Sequence, residues 1–128
     1  MQPTPYQIYQ QSAVNTSTPL QLVIMLYDGA IRNVKLGIEG IEGDDIQKAN
    51  HHLLKAQSVI NELAGSLNMQ YPIAQLLLQI YDYMLRKLIE ANIRKDKDPA
   101  LEVLEHLSAL RDAWHQISKR GSAVPGYG

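Results

Sequence analysis

Four histidines and two tyrosine-flanked aspartates are the residues of this sequence whose types lend themselves to chemistry. His51 and His52 are adjacent, and on a helix neighbouring side chains point about 100° apart, while His106 and His115 lack the three- or four-residue spacing of helical metal ligands. All four read as surface histidines. A di-iron bundle needs paired Glu-x-x-His motifs. The nearest match, Asp112-Ala113-Trp114-His115, is single and carries the wrong acid. Asp28 stands in Leu26-Tyr27-Asp28-Gly29 and Asp82 in Ile80-Tyr81-Asp82-Tyr83, and a carboxylate pair can do acid/base work. No oriented nucleophile accompanies them. Arg86, one turn beyond Asp82, predicts an i,i+4 ion pair, and Asp28 reads as a polar contact within the fold. The glycines at 37, 40 and 43 lack the Lys-Ser/Thr that completes a phosphate loop. With no cysteine in the chain, disulfides, thiolate zinc sites, iron–sulfur clusters, thiol nucleophiles and haem attachment are excluded. The sequence therefore predicts no catalytic constellation, no metal site and no cofactor.

The elements that must position the remaining residues belong to one small domain. The chain has 128 residues, 45% of them hydrophobic and 20% charged, with a formal net charge of −1. That composition is too apolar for disorder and supplies no positive field for phosphates, so nucleic acid is not an expected partner. The basic cluster Arg86, Lys87, Arg94, Lys95 and Lys97 is interleaved with Glu90, Asp96 and Asp98, as on an ordinary solvated face. From Met1 to Tyr27 no side chain is charged. This opening has no basic start and is broken by Pro3, Pro5, Asn15 and Pro19, which excludes a signal peptide. Its longest apolar run, Leu22 to Tyr27, is far short of the ~20 residues of a membrane span. A second uncharged stretch, Leu63 to Tyr81, is broken by Gly65, Asn68 and Pro72. A cytoplasmic protein with no direct membrane insertion is expected.

Helix punctuation recurs four times, with apolar residues returning every three or four positions between the marks. Thr18 with Pro19 opens a helix over about 19–41, closed by a left-handed turn at the Gly40 and Gly43 pair. Asp44 and Asp45 restart the chain into a helix over about 45–67, with Ile46, Ala49, Leu53, Ala56, Ile60, Leu63 and Leu67 along one seam. Pro72 opens the third, over about 72–95, with Ile73, Leu77, Ile80, Met84, Leu88 and Ala91. Asp98 and Pro99 open the fourth, over about 99–118, with Ala100, Val103, Leu107, Leu110, Trp114 and Ile117. Connections this short force antiparallel neighbours. The prediction is an all-α fold: an antiparallel up-down four-helix bundle over 18–119, preceded by an irregular or short-helical cap segment at 1–17 and followed by a flexible tail at 120–128.

Two helices carry more apolar surface than a bundle needs. Beside the stripe of Val23, Leu26 or Tyr27, Ala30, Val34 and Ile38, the first helix carries Leu22, Met25, Gly29 and Leu36. The third likewise carries Ala74, Leu78, Tyr81, Leu85 and Ile89 beside its first stripe. Leaving Leu22, Met25 and Leu36 in water would forfeit about 5–9 kcal/mol, at roughly 1.5–3 kcal/mol for each large side chain. Two readings remain open: a wide core face, or a groove for partner helices read along an i, i+3, i+4 ridge. The uncharged first 17 residues, with Ile8, Tyr9, Ala13 and Val14, suit a removable cover over such a groove. Tyr6 and Tyr9 combine apolar area with a polar tip, as interface residues do.

An ordered set of short motifs then carries a resemblance. Tyr9-Gln10-Gln11 is followed by Ser17-Thr18-Pro19, Met25-Leu26-Tyr27-Asp28-Gly29-Ala30, Lys55-Ala56-Gln57, Ile60-Asn61-Glu62-Leu63, Tyr81-Asp82-Tyr83-Met84, Ala91-Asn92-Ile93 and Arg111-Asp112-Ala113-Trp114. In this order the chain resembles the FliS family of flagellin-specific export chaperones over about Pro5 to Ile117; Met69 to Ile73 and residues 121–128 stand outside the pattern. The resemblance implies a cytoplasmic bundle that is not an enzyme. Such a bundle binds the disordered C-terminal region of flagellin, prevents its early polymerisation and docks with it on the cytoplasmic domain of the flagellar export gate. It implies flagellin contacts at Ile8, Leu22, Met25, Leu26, Gly29, Leu54, Gln57, Tyr81, Leu88 and Asn92, and gate contacts at Tyr6 and Tyr9, with the N-terminal segment covering client surface in the free chaperone. Gln57 and Asn92 can hydrogen-bond either a client backbone or each other. A chaperone for another export client, such as the filament cap protein, is the nearest alternative. A small helical-bundle enzyme or cofactor carrier is the more distant one.

Overall fold

The computed structural model describes residues 19–120 and 124–127, and the expected cap segment at 1–17, with Tyr6, Ile8 and Tyr9, lies outside them. Four helices carry the described chain: α1 (Pro19–Glu42), α2 (Ile46–Gly65), α3 (Pro72–Arg94) and α4 (Lys97–Arg120). No strand occurs among the described residues. Each helix packs on two others in a closed ring, α1 on α2 and α4, and α3 on α2 and α4, while α1 and α3 face each other only across the interior. This is the antiparallel up-down four-helix bundle that short connections demand.

The helix ends have local causes, and two differ from the sequence prediction. α1 continues through Gly40, and the left-handed residue that closes it is Asp44 (φ +53°), not a glycine. Asp45 then caps α2 by accepting a hydrogen bond from the Lys48 backbone N–H at 3.0 Å. α4 starts at Lys97, ahead of Asp98 and Pro99, because the Asp96 carboxylate takes the capping role and accepts from the Asp98 N–H at 3.0 Å. Lys95 in left-handed conformation (φ +50°) closes α3.

The core is built from Val23, Leu26, Tyr27, Ala30, Val34 and Ile38 of α1 with the inward stripes of the other helices. On α3 the stripe is rotated from its expected setting. Ala74 and Tyr81 turn fully inward, Ile73 becomes 40% exposed and Ile80 sits at the flank. Both alternatives satisfy a helical period, so only the neighbours' shapes choose between them. Gly40 has a packing role: a Cβ there would stand 2.5 Å from the Ala49 backbone N, and one at Gly37 would stand 2.7 Å from Leu53 Cδ2. These two glycines let α1 and α2 approach more closely than side chains permit.

The expected loose tail is a packed element where it is described. Val124 is buried, and Val124 to Tyr127 form a turn closed by a Tyr127 N–H to Val124 O bond of 3.1 Å. The sequence signal for it is Pro125-Gly126, a turn dipeptide. No helix among the described residues is long and apolar enough to cross a membrane.

Candidate functional site

The residues expected to form one client groove fall into three places. Leu26, Tyr81 and Leu88 are 4%, 0% and 0% exposed and belong to the core. That follows from topology: α1 and α3 are diagonal, so side chains from both can meet only in the interior. Leu22, Met25 and Gly29, all half-buried, follow the flank of α1 that faces α2. There the Asn33 carboxamide donates to Gly29 O at 2.9 Å and its oxygen meets His52 Nδ1 at 3.0 Å. Since Asn33 Nδ2 is committed to Gly29, Asn33 Oδ1 is the acceptor and His52 carries its proton on Nδ1. Burial first, then the neighbouring His51 ring and the positive Lys55, Lys48 and Arg32, hold His52 below the usual histidine range.

Leu54, Gln57 and Asn92 lie on the other side of α2, along its seam with α3. Asn92 Nδ2 donates to Asn50 Oδ1 at 2.9 Å across this seam, while Asn92 Oδ1 accepts from Lys95 Nζ at 2.6 Å. Asn92 thus pairs with Asn50, and the Gln57 side chain has no hydrogen bond among the described residues. One turn along each helix from the Asn50–Asn92 pair stand Leu54 and Ile89, 48% and 43% exposed, with Ile93 at 77% beyond. Ile46, expected in the α2 seam, is 65% exposed at the same end. Exposed aliphatic side chains around a pair of neutral amides make a surface on which an apolar helix can lie, the Lys95 ammonium being already satisfied by Asn92. α2 is the shared wall of both seams.

The acid/base and metal candidates do not converge. Asp28 forms an ion pair with Arg111 of α4, which holds the guanidinium above its ordinary value. The expected Asp82–Arg86 pair is absent among the described residues, and both side chains are exposed. His51 and His52 meet edge to face, with centroids 4.8 Å apart. No group of acidic residues or histidines able to hold a metal occurs among the described residues.

A buried phenol chain is the polar feature that the sequence reading missed. The Tyr27 and Tyr81 hydroxyls stand 2.7 Å apart across the bundle axis, Tyr81 and Tyr127 are again 2.7 Å apart, and the Tyr127 hydroxyl donates to Leu63 O at 2.9 Å. Because the last proton goes to a carbonyl, Tyr81 donates to Tyr127 and Tyr27 to Tyr81. Trp114 stands edge-on to Tyr27, with centroids 6.2 Å apart. Burial is the largest cause that pushes all three phenols well above their usual value of 10. The unfolded chain ionises near 10, so their stabilisation is intact below that pH and is lost as pH rises above it. For Tyr27 and Tyr81 the loss reaches at most about 1.4 kcal/mol per pH unit each. In a spectroscopic alkaline titration, at least three of the seven tyrosines should ionise only together with unfolding. Ionisation of all seven near pH 10, with the helical signal intact, would contradict this burial.

A family model described as flagellar protein FliS matches residues 1–121. The flagellar secretion chaperone FliS of Bacillus subtilis is 42% identical over 112 residues, covering 88% of this chain and 84% of the relative. The protein of the same description from Salmonella typhimurium is 37% identical over 119 residues, covering 91% and 88%. That from Escherichia coli is 33% identical over 113 residues, covering 86% and 83%.

Proposed function

Because the chain belongs to the FliS family of flagellar secretion chaperones, we propose that it binds the disordered C-terminal region of flagellin, prevents its premature polymerisation and delivers it to the flagellar export gate from the cytoplasm. The observation that supports this reading beyond family membership is the α2/α3 seam, where Leu54, Ile89 and Ile93 stand exposed beside the Asn50–Asn92 pair, with the Lys95 ammonium bonded to Asn92. The client segment folds into helices as it lays apolar residues along this seam and along Leu22 and Met25 on the far side of α2. Ordering the client costs part of the interaction energy, which keeps net affinity moderate and release possible. Tyr6 and Tyr9 are the proposed contacts with the cytoplasmic domain of the gate, and the first 17 residues, Ile8 among them, the proposed cover of the client surface. Both rest on the family resemblance.

Co-purification with flagellin truncations tests the reading. Flagellin lacking its C-terminal helices should no longer be retained, and undiminished retention would overturn the assignment. Leu54→Asp places a charge on the seam at a half-exposed position, so it should weaken flagellin binding by at least about tenfold while leaving the unfolding midpoint within experimental scatter.

A further inference from the structure

The Val124–Tyr127 turn lies beyond the residues matched by the family model, and its contacts are those of a ligand in a fitted slot. Pro125 and Gly126 occupy the central positions of the turn, and Gly126 has φ +87°, as the second central residue of a type II turn requires. A Cβ at Gly126 would stand 2.8 Å from Leu77 Cδ1 and 3.3 Å from Leu67 Cδ2, so both conformation and space demand glycine. The Gly126 carbonyl accepts from the Asn68 N–H at 2.8 Å. The Tyr127 hydroxyl donates to Leu63 O, one of the last four carbonyls of α2, which helix geometry leaves without a partner. Its oxygen accepts from Tyr81, whose proton is directed there by the order of the phenol chain. Every recognition group of the slot therefore has a defined counterpart: an apolar side chain first, no side chain at the third position, a carbonyl for Asn68, and a phenol that both donates and accepts.

We propose that this end of the bundle is a peptide-binding slot selective for an apolar-Pro-Gly-Tyr turn, occupied in cis by Val124–Tyr127, and that the occupied slot fastens the last turn of α2 to α3. The ligand class is set by the slot's own chemistry and does not depend on the identity of the export client. A tyrosine satisfies both Tyr81 and Leu63, whereas phenylalanine leaves the Leu63 carbonyl and the Tyr81 hydroxyl without their shared partner.

The test uses the full chain, a chain ending at residue 123, and a fluorescein-labelled peptide of residues 121–128 followed by anisotropy. The shortened chain should bind the peptide saturably, the Tyr127→Phe peptide at least about tenfold more weakly, and the full chain not detectably, since its slot is filled. Three results would overturn the proposal: no binding to a shortened chain that retains its helical signal, equal binding by both chains, or equal affinity for the two peptides. Should the shortened chain not fold, the full chain carrying Tyr127→Phe decides through amide hydrogen exchange. The Asn68 amide should then exchange about tenfold faster than in the parent protein, and an unchanged rate would refute the slot.

Discussion

Gly40→Ala should destabilise the bundle by about 3 kcal/mol, the upper part of the range for overpacking, measured as a shift of the urea midpoint at constant slope. The added Cβ would meet backbone, standing 2.5 Å from Ala49 N and 2.9 Å from Ala49 Cα. Backbone has no rotamer to retreat into, so α1 and α2 must part. Alanine is intrinsically about 1 kcal/mol better than glycine within a helix, which works in the opposite direction and is outweighed by the clash. Gly37→Ala meets the Leu53 side chain instead, which can shift, so its cost should be smaller. Gly65→Ala meets nothing within 4 Å and should be neutral or slightly stabilising. If Gly40→Ala left the midpoint where it was, the close approach of α1 and α2 described above would be wrong.

Leu88→Ala should cost about 2–5 kcal/mol of stability, the range for emptying a fully buried leucine site, because Leu88 is 0% exposed in the core face of α3. Under conditions where the variant is folded, its affinity for flagellin should stay within about twofold of the parent, as expected for a side chain outside the interface. Leu54→Asp should show the opposite pattern, with stability kept and affinity lost. The pair separates residues that build the chaperone from residues that present its surface. A large affinity loss for Leu88→Ala at full stability would show instead that Leu88 contacts the client.

Part of the fold is legible in the sequence because it depends on local rules. Pro19 and Pro72 open α1 and α3 because a proline at the first helical position sacrifices no hydrogen bond. The stripe from Val23 to Ile38 reads as core because only one stripe of α1 can face the bundle interior squarely. Local rules mislead where two residues compete for one role. Asp96 precedes Asp98 as the cap of α4, and Asp44 takes the left-handed position that a glycine nearby would occupy at lower cost. Gly40 shows the same ambiguity from the other side, since glycine is a helix terminator in isolation and a packing residue when another helix crosses it.

The candidate site was less legible than the fold. Leu26, Tyr81 and Leu88 are large apolar residues, as are Leu22, Leu54 and Ile89, and a helical period assigns each to an apolar face without saying what lies over it. Their exposure was fixed by the order of the helices around the bundle, which puts α1 and α3 on a diagonal and leaves α2 between two separate seams. The Asn50–Asn92 bond joins positions 42 apart, and the phenol chain joins Tyr27, Tyr81 and Tyr127 across 54 and 46 positions. No spacing rule reaches that far.

The sequence by itself determined four helices and their antiparallel order, because propensity, capping and apolar period act over a few residues. Its ordered motifs also carried the family. The tertiary structure alone decided how the core stripe of α3 is set, that two glycines bring α1 against α2, and that a Pro-Gly-Tyr turn closes the end of the bundle. These are decisions about shape between segments distant in the chain, and they are made by packing: a side chain is buried or presented according to what its neighbours leave room for.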